Sequence, residues 1–103
     1  MLVFLGVYAM VILVLKGGTY LMSYHIQVFA GLAELMGKPM ITVSADQETM
    51  TVNELKDLLS KYFPGAAAQL QGAFVARNQA YAAPEDLVSI HDEIAIIPPV
   101  SGG

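Results

Sequence analysis

The chain has 103 residues, one domain's worth with no room for a second core. Five Lys and Arg against nine Asp and Glu give a net charge of −4, which argues against a nucleic-acid footprint, because phosphate-backbone binders concentrate positive charge. The absence of cysteine excludes disulfides, thiolate zinc sites and thiol nucleophiles. The two histidines, His25 and His91, lie too far apart to suggest a metal site, and a hydrophobic fraction of 55% excludes disorder for most of the chain.

The apolar excess sits at one end: 17 of residues 1–22 are hydrophobic, and Met1 to Leu15 carries no charge. Fifteen residues fall short of the roughly 20 that a helix needs to span a bilayer. Neither the basic lead nor the cleavage site of a signal peptide is clear. Three readings stand: an extension upstream of a start at Met22, a short membrane anchor, or an additional hydrophobic element. The first is preferred, which sets residues 1–22 apart from a domain over 23–103.

From Ser23 the pattern has period two. Ile26, Val28 and Ala30 point one way and His25, Gln27 and Phe29 the other, as in a half-buried strand. Gly31 to Gly37 reads as a short helix ending at a glycine. Pro39 restarts the chain as a strand with Ile41 and Val43 inward, and Asp46-Gln47-Glu48 is a polar turn. Thr51-Val52-Asn53-Glu54 fits a capping box, in which hydroxyl and carboxylate reciprocally satisfy free N–H groups. Val52, Leu55, Leu59 and Tyr62 then recur at helical spacing until Pro64-Gly65. Ala66 to Gln71 has room for a further turn without an apolar face. Ala73 to Arg77 is a strand, Asn78-Gln79 a hairpin turn, and Ala80 to Ala82 a short return strand. Pro84 to Leu87 is a connector with room for one helical turn, and Glu93 to Ile97 is the last strand, stopped by Pro98-Pro99. Strands around one principal helix predict an α+β architecture, with one face of the sheet under the helix and the other open.

No constellation for catalysis emerges. None of the serines lies in a Gly-x-Ser-x-Gly elbow, and Gly17-Gly18 lacks the residues of a phosphate loop. His91 adjoins Asp92 and Glu93, but neighbours in a turn seldom reach base-and-orienter geometry, so a polar turn is the better reading. His25 reads as a surface residue. The pairs Asp92-Glu93 and Glu85-Asp86 flank turns and are read as solvated.

The C-terminus is different. Pro98 and Pro99 hold the exit from an apolar strand stiff and extended, and Gly102 and Gly103 have no Cβ, so they fit a channel too narrow for side chains. The terminal carboxylate is the reactive group such a tail delivers. A carboxylate is inert until activated, most simply by adenylation. The run Ile94-Ala95-Ile96-Ile97-Pro98-Pro99-Val100-Ser101-Gly102-Gly103, preceded by Asp92-Glu93, closely resembles the end of the molybdopterin synthase small-subunit family (the MoaD type). Ile26 to Ala30 with Leu32-x-x-Leu35-x-Gly37 resembles that family's first strand and helix, and Val75 to Gln79 its Val-x-x-Asn strand and turn. His91 stands where the family usually has Gly, and residues 1–22 have no family counterpart.

The resemblance implies a ubiquitin-like β-grasp fold and a cytoplasmic sulfur carrier with no catalytic residues or metal of its own. It implies that an activating enzyme (the MoeB type) uses ATP to adenylate Gly103, and that the adenylate becomes a thiocarboxylate. The stem Pro98, Pro99, Val100, Ser101 then carries the tail into the large subunit (the MoaE type) of a heterotetrameric synthase, where sulfur passes to cyclic pyranopterin monophosphate. Phe29, on the face opposite Ile26 and Val28, Ile97, opposite Ile94 and Ile96, and Tyr81 on the return strand match the family's partner-facing hydrophobic positions. Thiamine-type carriers and small protein modifiers share the fold and the Gly-Gly ending. A third reading, a membrane-tethered interaction module, rests on residues 1–15 alone.

Overall fold

The computed structural model describes residues 2–5, 10–14 and 20–99. Among the described residues, nine strands and three short helices follow in chain order. They are β1 (Leu2–Leu5), β2 (Met10–Val14), β3 (Tyr20–Val28), α1 (Ala30–Met36), β4 (Met40–Ala45) and β5 (Thr49–Thr51). Then come α2 (Val52–Tyr62), a 3-10 turn (Pro64–Ala66), α3 (Ala67–Gly72), β6 (Phe74–Arg77), β7 (Ala80–Ala82), β8 (Leu87–Ser89) and β9 (Ile94–Ile97).

β9, the last strand, lies in the middle of the main sheet. It runs parallel to β3, with Ile26 opposite Ile94 and Val28 opposite Ile96, and antiparallel to β6, with Val75 opposite Ile96. β4 flanks β3 on its other side and β7 flanks β6. β1 and β2 pair as antiparallel neighbours, and among the described residues β2 pairs with β3 through Leu13–Leu21 and Val14–Tyr20. β3 thus runs unbroken across residue 22.

Period two decides which side chains are buried. Tyr24, Ile26 and Val28 of β3, Ile41 and Val43 of β4, Val75 of β6 and Ile94 and Ile96 of β9 point to one face and are buried. Val52, Leu55 and Leu59 of α2 close over them, joined by Leu32 and Met36 of α1 and Leu70 of α3. Each such side chain contributes about 1.5–3 kcal/mol on burial. The capping box forms as expected: Thr51 Oγ1 accepts from Glu54 N at 3.1 Å, and Thr51 N donates to Glu54 Oε1 at 2.8 Å. Gly37 closes α1 at φ +89°, a left-handed conformation that glycine adopts without a Cβ clash.

Several expectations need correction. The first strand stops at Val28. Ala30 is exposed at φ +53° rather than buried in line with Ile26 and Val28, because the chain turns sharply into α1. Tyr62 leaves the apolar stripe and is half-exposed, its hydroxyl 3.5 Å from the Ser44 carbonyl. The connector Pro84 to Leu87 is a turn that enters β8, and β8 pairs with β5 in a separate small sheet that buries Met50 and Val88. Asp86 and Asp92 are partly buried rather than solvated: Asp86 accepts from Ala83 N and Asp92 from Ser89 N, each at 2.8 Å.

Candidate functional site

The face of the sheet away from α2 carries the outward positions of the same strands. Register sets them in rows. Gln27, Ala95, Ala76 and Tyr81 lie opposite one another across β3, β9, β6 and β7. In the next row Ile97 lies opposite Phe74, and Phe29 follows the end of β3. The two alanines leave a low floor between taller neighbours, forming an open groove of about 330 Å³ walled by Phe29, Tyr81 and Ile97. Gln27, Gln79 and Glu93 complete its lining.

The groove is apolar yet faces water. Phe29 is 48% exposed, Phe74 54% and Tyr81 74%, and the Phe74 and Tyr81 rings meet edge-on with centroids 5.7 Å apart. An edge-to-face pair holds both rings in fixed orientations at little further entropic cost on binding. A contiguous group of large apolar side chains left in solvent marks a docking surface.

The turns at the groove's polar end are locked to each other. Asn78 and Gln79 both have positive φ, 52° and 70°, the geometry of a two-residue type I′ hairpin turn. Asn78 N donates to the Glu93 carbonyl at 2.7 Å, and Glu93 N donates to Asn78 Oδ1 at 2.9 Å. Asn78 Nδ2 donates to Asp92 Oδ1 at 3.0 Å. This clamp fixes the start of β9, and hence the place where its other end releases the tail.

Phe29, Tyr81 and Ile97 are therefore brought together in one groove. Pro98, half-buried, and Pro99, exposed, follow directly from Ile97 at the Phe29–Phe74 end. Val100, Ser101, Gly102 and Gly103 lie outside the described residues. Sequence reasoning missed Phe74, although alternation about Val75 places it outward. Gln27, Gln79 and Glu93 gave no signal beyond polarity. His25 is exposed with Nδ1 3.1 Å from Thr42 Oγ1, and His91 forms an exposed ion pair with Glu48 at 3.4 Å. Among the described residues, no group of three His, Cys, Asp or Glu is placed to hold a metal, and no helix is long and apolar enough to cross a membrane.

A mixed sheet wrapped around one principal helix, with its last strand central and paired parallel to the strand that enters the first helix, defines the ubiquitin-like β-grasp class. The chain belongs to the ThiS family, whose sequence model matches residues 26–103. The molybdopterin synthase sulfur carrier subunit of Dictyostelium discoideum is 35% identical over 83 residues, covering 79% of this chain and 96% of that protein. The subunit of the same name from Arabidopsis thaliana is 36% identical over 75 residues, covering 73% and 77%. Among solved structures, SAMP1 from Haloferax volcanii superposes with a TM-score of 0.67 at 30% identity, covering 79% of this chain and 99% of that one. Small archaeal modifier protein 1 from Methanosarcina acetivorans, at 24% identity and a TM-score of 0.61 over 79% and 96% of the two chains, shares the fold.

Proposed function

We propose that this chain is the sulfur carrier subunit of a molybdopterin synthase, working through its terminal carboxylate. The observation that carries the reading is that the apolar groove and the Pro98-Pro99 stem share one end of the sheet. Ile97 is at once a wall of the apolar groove and the residue before the Pro-Pro stem. A partner that covers Phe29, Tyr81 and Ile97 thereby receives the tail at a fixed origin. The named relatives from Dictyostelium and Arabidopsis support the molybdopterin assignment.

In this reading an activating enzyme of the MoeB type directs the Gly103 carboxylate onto the α-phosphorus of ATP, releasing pyrophosphate and forming an acyl adenylate. Hydrosulfide released by a sulfur donor attacks the acyl carbon and expels AMP, leaving a thiocarboxylate and a proton. Within the large subunit, of the MoaE type, the thiocarboxylate sulfur bonds to a carbon of cyclic pyranopterin monophosphate, and water then cleaves the acyl–sulfur bond, leaving the sulfur on the pterin and the terminus as a carboxylate. The groups that perform these steps belong to the partners; this chain supplies a docking face, a stiff stem and a narrow tail.

The test is thiocarboxylate formation with activating enzyme, ATP and a sulfur donor, followed by molybdopterin production with the large subunit. Deleting Gly103 withdraws the carboxylate by up to about 3.5 Å, and a misplacement of about 1 Å can already cost a hundredfold in rate. Both steps are expected to fail while the fold is kept. Normal molybdopterin formation by the shortened protein would overturn the reading. The likeness to SAMP1 favours a second reading, a protein modifier joined to lysines through the same glycine. Intact-mass analysis of native protein separates the two: oxygen-to-sulfur exchange marks the carrier, and branched conjugates mark the modifier.

A further inference from the structure

The groove's lining is apolar except for two neutral amides and one charge. Glu93 is the only ionisable acid or base in its walls, apart from the Tyr81 phenol. Its backbone is fixed on both sides by Asn78, while its side chain remains exposed to the groove and to water. Among the described residues it forms no ion pair. Among the described residues, three of the chain's cations are engaged or placed elsewhere. Arg77, on the inward side of β6 with Val75, donates to the Leu87 carbonyl at 2.6 Å, and Lys56 is buried against the Gln71 carbonyl at 3.2 Å. Lys61 lies on α2, behind the sheet.

A purely apolar occupant would strip water from Glu93 without replacing it, which is costly for a carboxylate. An occupant that brings a cation avoids that cost. Tyr81 narrows the choice: its ring is held edge-on by Phe74 and presents an open face beside the same groove. A planar guanidinium can lie on that ring and still present paired N–H donors to a carboxylate, and the amides of Gln79 and Gln27 also line the groove. An ammonium is a point charge and does one of these at a time.

Resting on the docking reading above, we propose that the groove receives an arginine of the large subunit. Its guanidinium pairs with Glu93 and lies against Tyr81, while a neighbouring apolar side chain of the same segment fills the space over Ala76 and Ala95.

The experiment is a titration of the full-length chain against the large subunit at several salt concentrations. Wild type is compared with Glu93→Gln, Glu93→Asp, Tyr81→Leu and Phe29→Ala, each first checked for an unchanged melting transition. Glu93→Gln is expected to weaken binding about tenfold at low salt and to flatten its salt dependence, as loss of a charge pair across an interface does. Glu93→Asp should recover part of the salt dependence. Tyr81→Leu, which keeps bulk but removes the ring face, should weaken binding, and Phe29→Ala should weaken it without altering the salt slope. If wild type binds, Phe29→Ala weakens it, and Glu93→Gln changes neither affinity nor slope, the arginine proposal is overturned while the docking surface stands. If wild type binds the large subunit at no salt concentration, both are overturned.

Discussion

Gln79 holds φ at +70° in a turn whose second position suits glycine better than any other residue. A left-handed conformation costs an L-residue about 1–2 kcal/mol, and glycine gives back about half of that through its greater freedom when unfolded. Gln79→Gly should therefore stabilise the domain by roughly 0.5–1 kcal/mol, read as a higher urea midpoint at unchanged slope. Asn78→Ala should do the opposite. It keeps the positive φ but loses the bonds to Glu93 and Asp92, a cost of roughly 2–3 kcal/mol. Tyr24 gives a pH test. Its ring is fully buried and its hydroxyl donates to the Gln47 carbonyl at 2.8 Å. Burial, helped by the carboxylates of Glu48, Asp92 and Glu54, pushes its phenol from 10.0 up to about 12. The folded state thus holds this proton after the unfolded state has released it. The corresponding stability is complete below pH 10 and should be lost between pH 10 and about 12. Lys56 works with the opposite sign: burial lowers its pKa, so its penalty is present at neutral pH and fades as pH rises toward 10.5. Lys56→Met should leave the alkaline decline due to Tyr24 in clearer view, and Tyr24→Phe should remove most of that decline. Melts across this pH range check both.

Helix α2 was readable from its capping box and its apolar repeat, because both are local signals that need no partner elsewhere in the chain. Thr51→Ala should cost about 1 kcal/mol through loss of that cap, measurable by thermal melts. Strands β5 and β8 were not readable. Each has three residues, too few for alternation to show, and each exists because the other supplies its ladder and a place to bury Met50 or Val88. The outward face of β9 was inferred correctly from Ile94 and Ile96, but its parallel pairing with β3 depends on contacts between distant parts of the chain. That is also why Phe74 escaped notice: its strand was recognised, but not that register sets it opposite Ile97. The outward residues Ile97 and Phe29 should behave unlike their inward neighbours. Ile97→Ala and Phe29→Ala should each weaken partner binding by roughly 2 kcal/mol with a smaller loss of stability. Ile96→Ala, in the core, should cost about 2–5 kcal/mol of folding energy. Paired unfolding and binding titrations separate the two kinds of effect.

Residues 1–22 test how far the domain depends on its N-terminal strand pair. Among the described residues β2 pairs with the rest of the sheet at Tyr20 and Leu21, whereas Gln27 and Phe29 border the groove at the other end of β3. Those ends are separated by roughly 20 Å of strand. A chain beginning at Met22 keeps the whole β3–β4 pairing from Met22 to Gln27 and all of the β3–β9 pairing. It should melt cooperatively and bind the large subunit as tightly as the full chain. Loss of cooperative melting would make that strand pair part of the core.

The central place of β9 also bears on how the protein is made. Ile26 finds its partner in Ile94, 68 positions later, so the sheet cannot close while the ribosome still holds the last strand. Contacts this distant form late, after the loop between them has been ordered. A chain broken off before Ile94 would leave the edges of β3 and β6 unpaired and the core uncovered, a species prone to aggregation and proteolysis. Proteolysis would then remove molecules broken off ahead of β9 before an activating enzyme meets them. Chains that survive as folded domains would be those whose synthesis had reached the tail.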